Sequence, residues 1–115
     1  MKILLDHSTP RQLAKYLIGH EVTTCARLAW NELQNGELIA AAEAAGFELM
    51  ISSDQNIKYQ QNLKTRKLAL IVLSTNHRAS IERSSAPIVT AIPLAVPYSY
   101  QFIELPVEAR SRCDP

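Results

Sequence analysis

Three short, nearly unbroken apolar runs constrain this chain more than any other feature: Ile3-Leu4-Leu5, Phe47-Glu48-Leu49-Met50-Ile51 and Leu68-Ala69-Leu70-Ile71-Val72-Leu73. Runs of this length, bounded by polar residues, read as strands buried on both faces of a parallel sheet. The first is closed by Asp6, and the second is followed by Ser52-Ser53 and then Asp54. In open α/β sheets the ligand crevice lies beyond the carboxyl ends of the strands, so both aspartates are expected to face it. Two carboxylates in one crevice repel each other and lose hydration unless something positive lies between them. The usual solution is a hard divalent cation held by oxygen ligands.

The remaining pattern supplies the helices. Ser8 or Thr9 offers an N-cap before Pro10, and Leu13, Ala14, Leu17 and Ile18 form an apolar stripe that predicts a helix of about three turns ending at Gly19. His20 to Thr24 is rich in β-branched residues and reads as a second strand. Leu38, Ile39, Ala42 and Ala45 give helical spacing from Asn35-Gly36 to Gly46, with Glu37 in the first turn. A polar helix is expected over 57–64, and a helix broken by Pro87 and Pro93 over 81–95. Tyr100 to Leu105 reads as the last strand. Strands alternating with helices predict a single-domain α/β protein over 1–105, a parallel sheet with helices on both faces, right-handed crossovers and strand order 2-1-3-4-5; residues 106–115 form a loose tail. In that order Asp6 and Asp54 end neighbouring strands about 4.8 Å apart, close enough to share one ion. Glu37 reaches the same edge because its helix runs antiparallel to the strands.

Composition narrows the function classes. The chain has 115 residues, one domain's worth, and 12 basic against 11 acidic side chains give a formal charge of +1, so any basic surface must be local. Cys25 and Cys113 suggest no disulfide framework. No apolar stretch approaches the roughly 20 residues of a membrane span and no signal-peptide pattern is seen, which together predict a cytoplasmic protein with no membrane partner. There is no Gly-rich phosphate loop, thiol metal cluster or Ser-His-Asp arrangement.

The segment Lys2-Ile3-Leu4-Leu5-Asp6 with Pro10 and Leu13, the segment Gly19-His20-Glu21-Val22-Thr23, the helix start Asn35-Gly36-Glu37-Leu38 and the turn Asp54-Gln55-Asn56 together resemble the PIN-like proteins of the DUF5615 family over roughly residues 1–105. The resemblance implies a PIN-like fold and an Mg²⁺- or Mn²⁺-dependent ribonuclease, often the toxin of a toxin-antitoxin pair. It makes Asp6, Glu37 and Asp54 the catalytic and metal-holding acids. Many relatives carry Asp-Glu where this chain has Asp6-His7, and Asp-x-Asp where it has Asp54-Gln55-Asn56. Two negative charges are therefore missing. Asn56 still offers a carbonyl oxygen to a metal, whereas His7 is a softer ligand poorly matched to Mg²⁺.

Each residue also has a plainer role. Asp6, Asp54 and Glu37 are each suited to a helix N-terminus, where free amides attract a carboxylate. His7 is equally a surface histidine. Trp30 either stacks on a base or packs in the core. Arg78, in the segment after the strand ending at Leu73, is a natural phosphate clamp, and Lys58 belongs to a local basic group with Lys64, Arg66 and Lys67. Arg78, Asn56, Lys58 and His7 are thus the candidate substrate-binding residues, with single-stranded RNA as the substrate. The alternative is a non-catalytic PIN-like module that binds an antitoxin-like protein. The apolar stretch from Ala86 to Pro97, with Ile88 or Val89 facing outward, is expected to serve such a partner or a homo-oligomer. A receiver-like domain fits less well, since it wants adjacent acids after the first strand and a lysine after a later one.

Overall fold

The computed structural model describes residues 1–30, 33, 35–53, 67–83 and 85–105. Asp54, Asn56 and Lys58, the helix expected over 57–64 and the tail 106–115 lie outside these residues. Five strands form one sheet in the order β2-β1-β3-β4-β5: β1 Lys2–Leu5, β2 Glu21–Thr24, β3 Leu49–Ser52, β4 Ala69–Leu73 and β5 Tyr100–Ile103. Every neighbouring pair is parallel. The strand order and parallel pairing are those expected from the sequence. A 3-10 helix, Arg11–Tyr16, joins β1 to β2; α1 is Asn35–Ala44; and α2 Arg78–Arg83, α3 Ser85–Ala91 and a second 3-10 turn, Ile92–Leu94, join β4 to β5. Among the described residues no helix is long and apolar enough to cross a membrane.

The apolar runs do what unbroken runs should. Ile3 and Leu5 of β1, Leu49 and Ile51 of β3, and Ala69, Ile71 and Leu73 of β4 face one side, where Leu13, Leu17, Ile81 and Ile88 cover them. Leu4, Met50, Leu70 and Val72 face the other, under Leu38, Ile39 and Ala42 of α1. Successive strand residues alternate between faces, so a strand with two covered faces needs apolar residues at every position. Trp30 packs edge-on against Phe47, with ring centroids 6.3 Å apart, and is partly buried against the core of this second face. Gly46 ends α1 with φ +89, and the bonds from Phe47 N to Ala42 O and from Gly46 N to Glu43 O close its last turn in a Schellman motif. The Glu43 carboxylate then accepts from Leu68 N at 2.9 Å, tying the end of α1 to the start of β4.

Expectations for the first helix and for Ile88 are corrected. The segment after Pro10 is a 3-10 helix of six residues and not a three-turn α-helix. Its N-cap, Pro10, is extended and makes no side-chain cap bond, because the hydroxyls of Ser8 and Thr9 are turned back to Asp6. With the helix over at Tyr16, Ile18 falls off the apolar stripe and is 87% exposed. Ile88 is fully buried in the core, whereas Val89 is 40% exposed, so the stretch from Ala86 to Pro97 is mostly packed on the sheet and only its outer side chains face water.

The crossovers do not all share one hand. The Arg11–Tyr16 helix, α2 and α3 lie on the same face of the sheet and contact one another, yet β1 to β2 and β4 to β5 step in opposite directions. Two parallel crossovers on one face with opposite steps must have opposite hands. The β2 to β3 connection steps back over β1 with α1 on the other face, which gives it the hand of β1 to β2. The β4 to β5 connection is the odd one, against the strong uniform preference for right-handed units.

Candidate functional site

Asp6 follows the last residue of β1, where its backbone N–H still donates to Ile51 O at 3.1 Å, so it stands at the carboxyl edge between β1 and β3. Its side chain is 2% exposed. Oδ1 accepts from Ser8 N at 3.1 Å, from Ser8 Oγ at 2.7 Å and from Thr9 Oγ1 at 3.0 Å. Oδ2 accepts from Ser52 Oγ at 2.5 Å. The bond to the amide two residues on makes residues 6–8 an Asx turn, which is why Asp-His-Ser-Thr-Pro bends sharply at this point. Thr9 Oγ1 also lies 3.1 Å from Ile51 O, and its one proton is shared between the two acceptors.

Ser53 completes the enclosure. Its N–H donates to Ser8 Oγ at 3.2 Å and its hydroxyl to Ser8 O at 2.7 Å. The loops after β1 and β3 are thereby closed on each other by hydroxyls. This is the crevice in which the sequence places a shared cation. The donor set consists of hard oxygens, a chemistry that suits Mg²⁺ or Mn²⁺ better than a soft metal, and Oδ2 keeps one lone pair beyond its bond to Ser52. Among the described residues there is no group of three His, Cys, Asp or Glu side chains placed to hold a metal ion. The second acid of the expected pair, Asp54, lies outside them.

The other expected residues reach this edge by different routes. The chain leaves β2 at its carboxyl end and enters β3 at its amino end, so α1 starts at the carboxyl edge, and Glu37 lies exposed in its first turn. His7 is exposed on the turn after Asp6. Arg78 opens α2 just beyond the end of β4, but its Nε donates to Glu82 Oε2 at 2.7 Å, one helical turn on. Glu82 also lies 3.7 Å from Lys15 Nζ on the first 3-10 helix. The hydrogen bond from Arg78, helped by the charges of Lys15 and Arg78, holds the Glu82 carboxyl below its ordinary range. The sequence suggests Arg78 as a phosphate clamp; in the structure it pairs with Glu82 within its own helix, and it is Glu82 that reaches across to Lys15 on the first 3-10 helix.

A broad cleft of about 1010 Å³ opens beside Asp6, between the Arg11–Tyr16 helix and the end of β2. It lies on the β2 side of β1, adjoining the crevice between β1 and β3. Cys25 lies against it, fully buried, and burial first, then the charge of Asp6, push its thiol up to about 11 despite an opposing bond from the His7 amide. A thiol held protonated in this way is a packing residue and not a nucleophile. Sequence reasoning missed Ser8, Thr9, Ser52 and Ser53 as partners of Asp6. The Asp-x-Ser spacing was the available signal for the first, whereas the link to Ser52 and Ser53 needs the register of β1 with β3. It also passed over Arg11 and Arg27, which line the cleft from two separate elements.

When the chain is compared with known proteins, no family model, curated protein or solved structure matches it.

Proposed function

We propose that this chain is a PIN-like, metal-dependent ribonuclease acting on single-stranded RNA in the cytoplasm, of the kind that serves as the toxin of a toxin-antitoxin pair. The observation that supports this reading is the gathering at one sheet edge of Asp6, the Glu37 turn of α1 and the Arg78 start of α2. In this reading Asp6 and Asp54 hold Mg²⁺ or Mn²⁺, with Asn56 as a neutral oxygen donor, and Glu37 holds the ion or orients the attacking water. A bound cation of this kind supplies Lewis-acid polarisation of a phosphoryl oxygen. Arg78, once it exchanges Glu82 for substrate, holds a phosphate beside Lys58 and His7.

A second reading has its own support. Asp6 already has four hydrogen-bond donors and almost no exposure, as a structural carboxylate would. The chain would then be a non-catalytic PIN-like module that acts through an antitoxin-like protein or a second copy of itself. Purified protein with Mn²⁺ should cleave single-stranded RNA slowly, and Asp54→Asn should abolish cleavage without lowering Tm. No cleavage of any RNA at millimolar Mn²⁺ would remove the nuclease reading and leave the binding module.

A further inference from the structure

The cleft between the Arg11–Tyr16 helix and the end of β2 carries more positive charge than the fold needs. Arg11, Lys15 and Arg27 line it. Lys15 is engaged with Glu82 at 3.7 Å. Arg11 and Arg27 are both exposed, and among the described residues neither guanidinium has a carboxylate or carbonyl partner. Among the described residues Asp6 is the one acid on the cleft wall, and its charge is turned inward onto four donors, so it opposes the arginines weakly. Gln12 and Thr24 add neutral hydrogen-bonding groups, while Val22, Ala14 and Ala26 supply an apolar floor.

Two arginines from different segments facing one cleft, neither ion-paired among the described residues and opposed only by the inward-turned Asp6, match an oxyanion with more than one charged group. A guanidinium donates two parallel hydrogen bonds to a phosphate, and it stays charged at any physiological pH. Among the described residues no Phe, Tyr or Trp lines the cleft, and the exposed His7 is its one ring, so it lacks the row of aromatic platforms that sequence-tolerant base binding uses. Recognition there falls on phosphates and not on bases. The volume, about 1010 Å³, is ample for a nucleotide and too open for a lone inorganic ion to fill.

We infer that this cleft is a phosphate-binding site for a nucleotide ligand, in which Arg11 and Arg27 each take a separate phosphate group. The shared chemistry is two phosphates in sequence, supplied either by a free nucleoside diphosphate or by the backbone of an oligonucleotide. The site adjoins the crevice between β1 and β3 and shares Asp6 and Thr9 with it, but its arginines lie on the β2 side of β1 and need no metal. It stands whether or not the chain hydrolyses anything.

The test is fluorescence anisotropy in EDTA with a labelled single-stranded oligouridylate of roughly ten nucleotides, the scale of a single-stranded binding site. Competition by unlabelled nucleoside diphosphate and by inorganic phosphate separates the sources. Displacement by the diphosphate at the concentration of its own binding identifies the free nucleotide as sufficient; displacement by oligonucleotide alone identifies the chain. Arg11→Ala and Arg27→Ala should each weaken binding of the effective probe about tenfold at low salt. For the oligonucleotide, each should also reduce the slope of log K against log salt by about 0.7, measured from about 50 to about 200 mM. Lys2→Gln removes the same charge at the opposite, amino edge of the sheet and should change neither. Equal losses in all three variants would reveal general charge attraction and overturn the site, as would undetectable binding of both probes at the lowest salt. Because binding is read without metal, failure here leaves the cleavage experiment untouched, and failure of cleavage leaves this one untouched.

Discussion

Replacing Asp6 by asparagine separates two pictures of the carboxylate at the end of β1. The structure surrounds it with three donors on Oδ1 and one on Oδ2, at 2% exposure. Hydrogen bonds to a charged group contribute about 1.5–3 kcal/mol each and neutral ones about 0.5–1.5. In Asp6→Asn the amide oxygen can keep the three Oδ1 donors, and Ser52 Oγ can rotate to accept from the new NH₂. Every bond survives, but each loses its charge assistance, a gross cost of roughly 4 kcal/mol across the four. Removing a buried anion recovers part of that as desolvation, leaving a net destabilisation of about 2 kcal/mol. Urea unfolding in EDTA should show it as a midpoint lowered by about 0.7–2 M at unchanged m, taking m in the usual range for a small domain. If the carboxylate is instead a metal ligand held against a second acid, the metal-free protein is strained by repulsion and asparagine relieves it. An Asp6→Asn variant as stable as the wild type in EDTA, or more stable, would refute the anchoring argument.

Two further outcomes follow from the packing. Glu82 has a folded-state pKa below its ordinary value of 4.5, so the stability it confers is complete above that pH and fades as the pH falls through the depressed folded value. The difference in Tm between wild type and Glu82→Gln should therefore be constant near neutrality and shrink in acid below about pH 4.5; a difference that grows in acid contradicts the brace with Arg78 and Lys15. Ile88→Lys should prevent folding, because it places an unpaired charge in the core, whereas Val89→Lys should stay within about 0.5 kcal/mol of wild type by thermal unfolding.

Legibility in the sequence followed the range of the forces involved. The strand runs and their order could be read because burial on both faces demands apolar residues at consecutive positions, a local signal that Ile3 to Leu5 and Leu68 to Leu73 carry plainly. The first helix was misread because Ser8 and Thr9 have two competing uses. As caps they would start an α-helix at Pro10, but a buried carboxylate two and three residues earlier draws their hydroxyls away, and it stays buried because Ser52, 46 residues distant, closes over it. Ile88 was misplaced for a related reason: which of two adjacent apolar residues faces the sheet depends on where α2 gives way to α3. The edge location of Asp6 and Arg78 was legible, while the engagement of Arg78 with Glu82 depended on a helix starting at that residue. The hand of the β4 to β5 connection left no mark on the sequence, since a general preference carries no information about its exceptions.

That crossover has a consequence for the order in which the molecule is made. Because the last connection returns to the same face as the first, Leu13 and Leu17, among the earliest apolar residues synthesised, are covered by Ile81 and Ile88, which emerge from the ribosome some 70 residues later. The wall bearing Arg11 and Lys15 therefore has no backing until α2 and α3 exist, and the brace from Glu82 arrives with them. Throughout most of translation the N-terminal strands can pair while one face of their sheet stays bare, an interval in which such a face invites aggregation or a chaperone. A nascent chain arrested before α2 would hold every residue that lines the cleft but lack the packing behind one of its walls, so whatever this protein does at that wall waits on the final third of the chain.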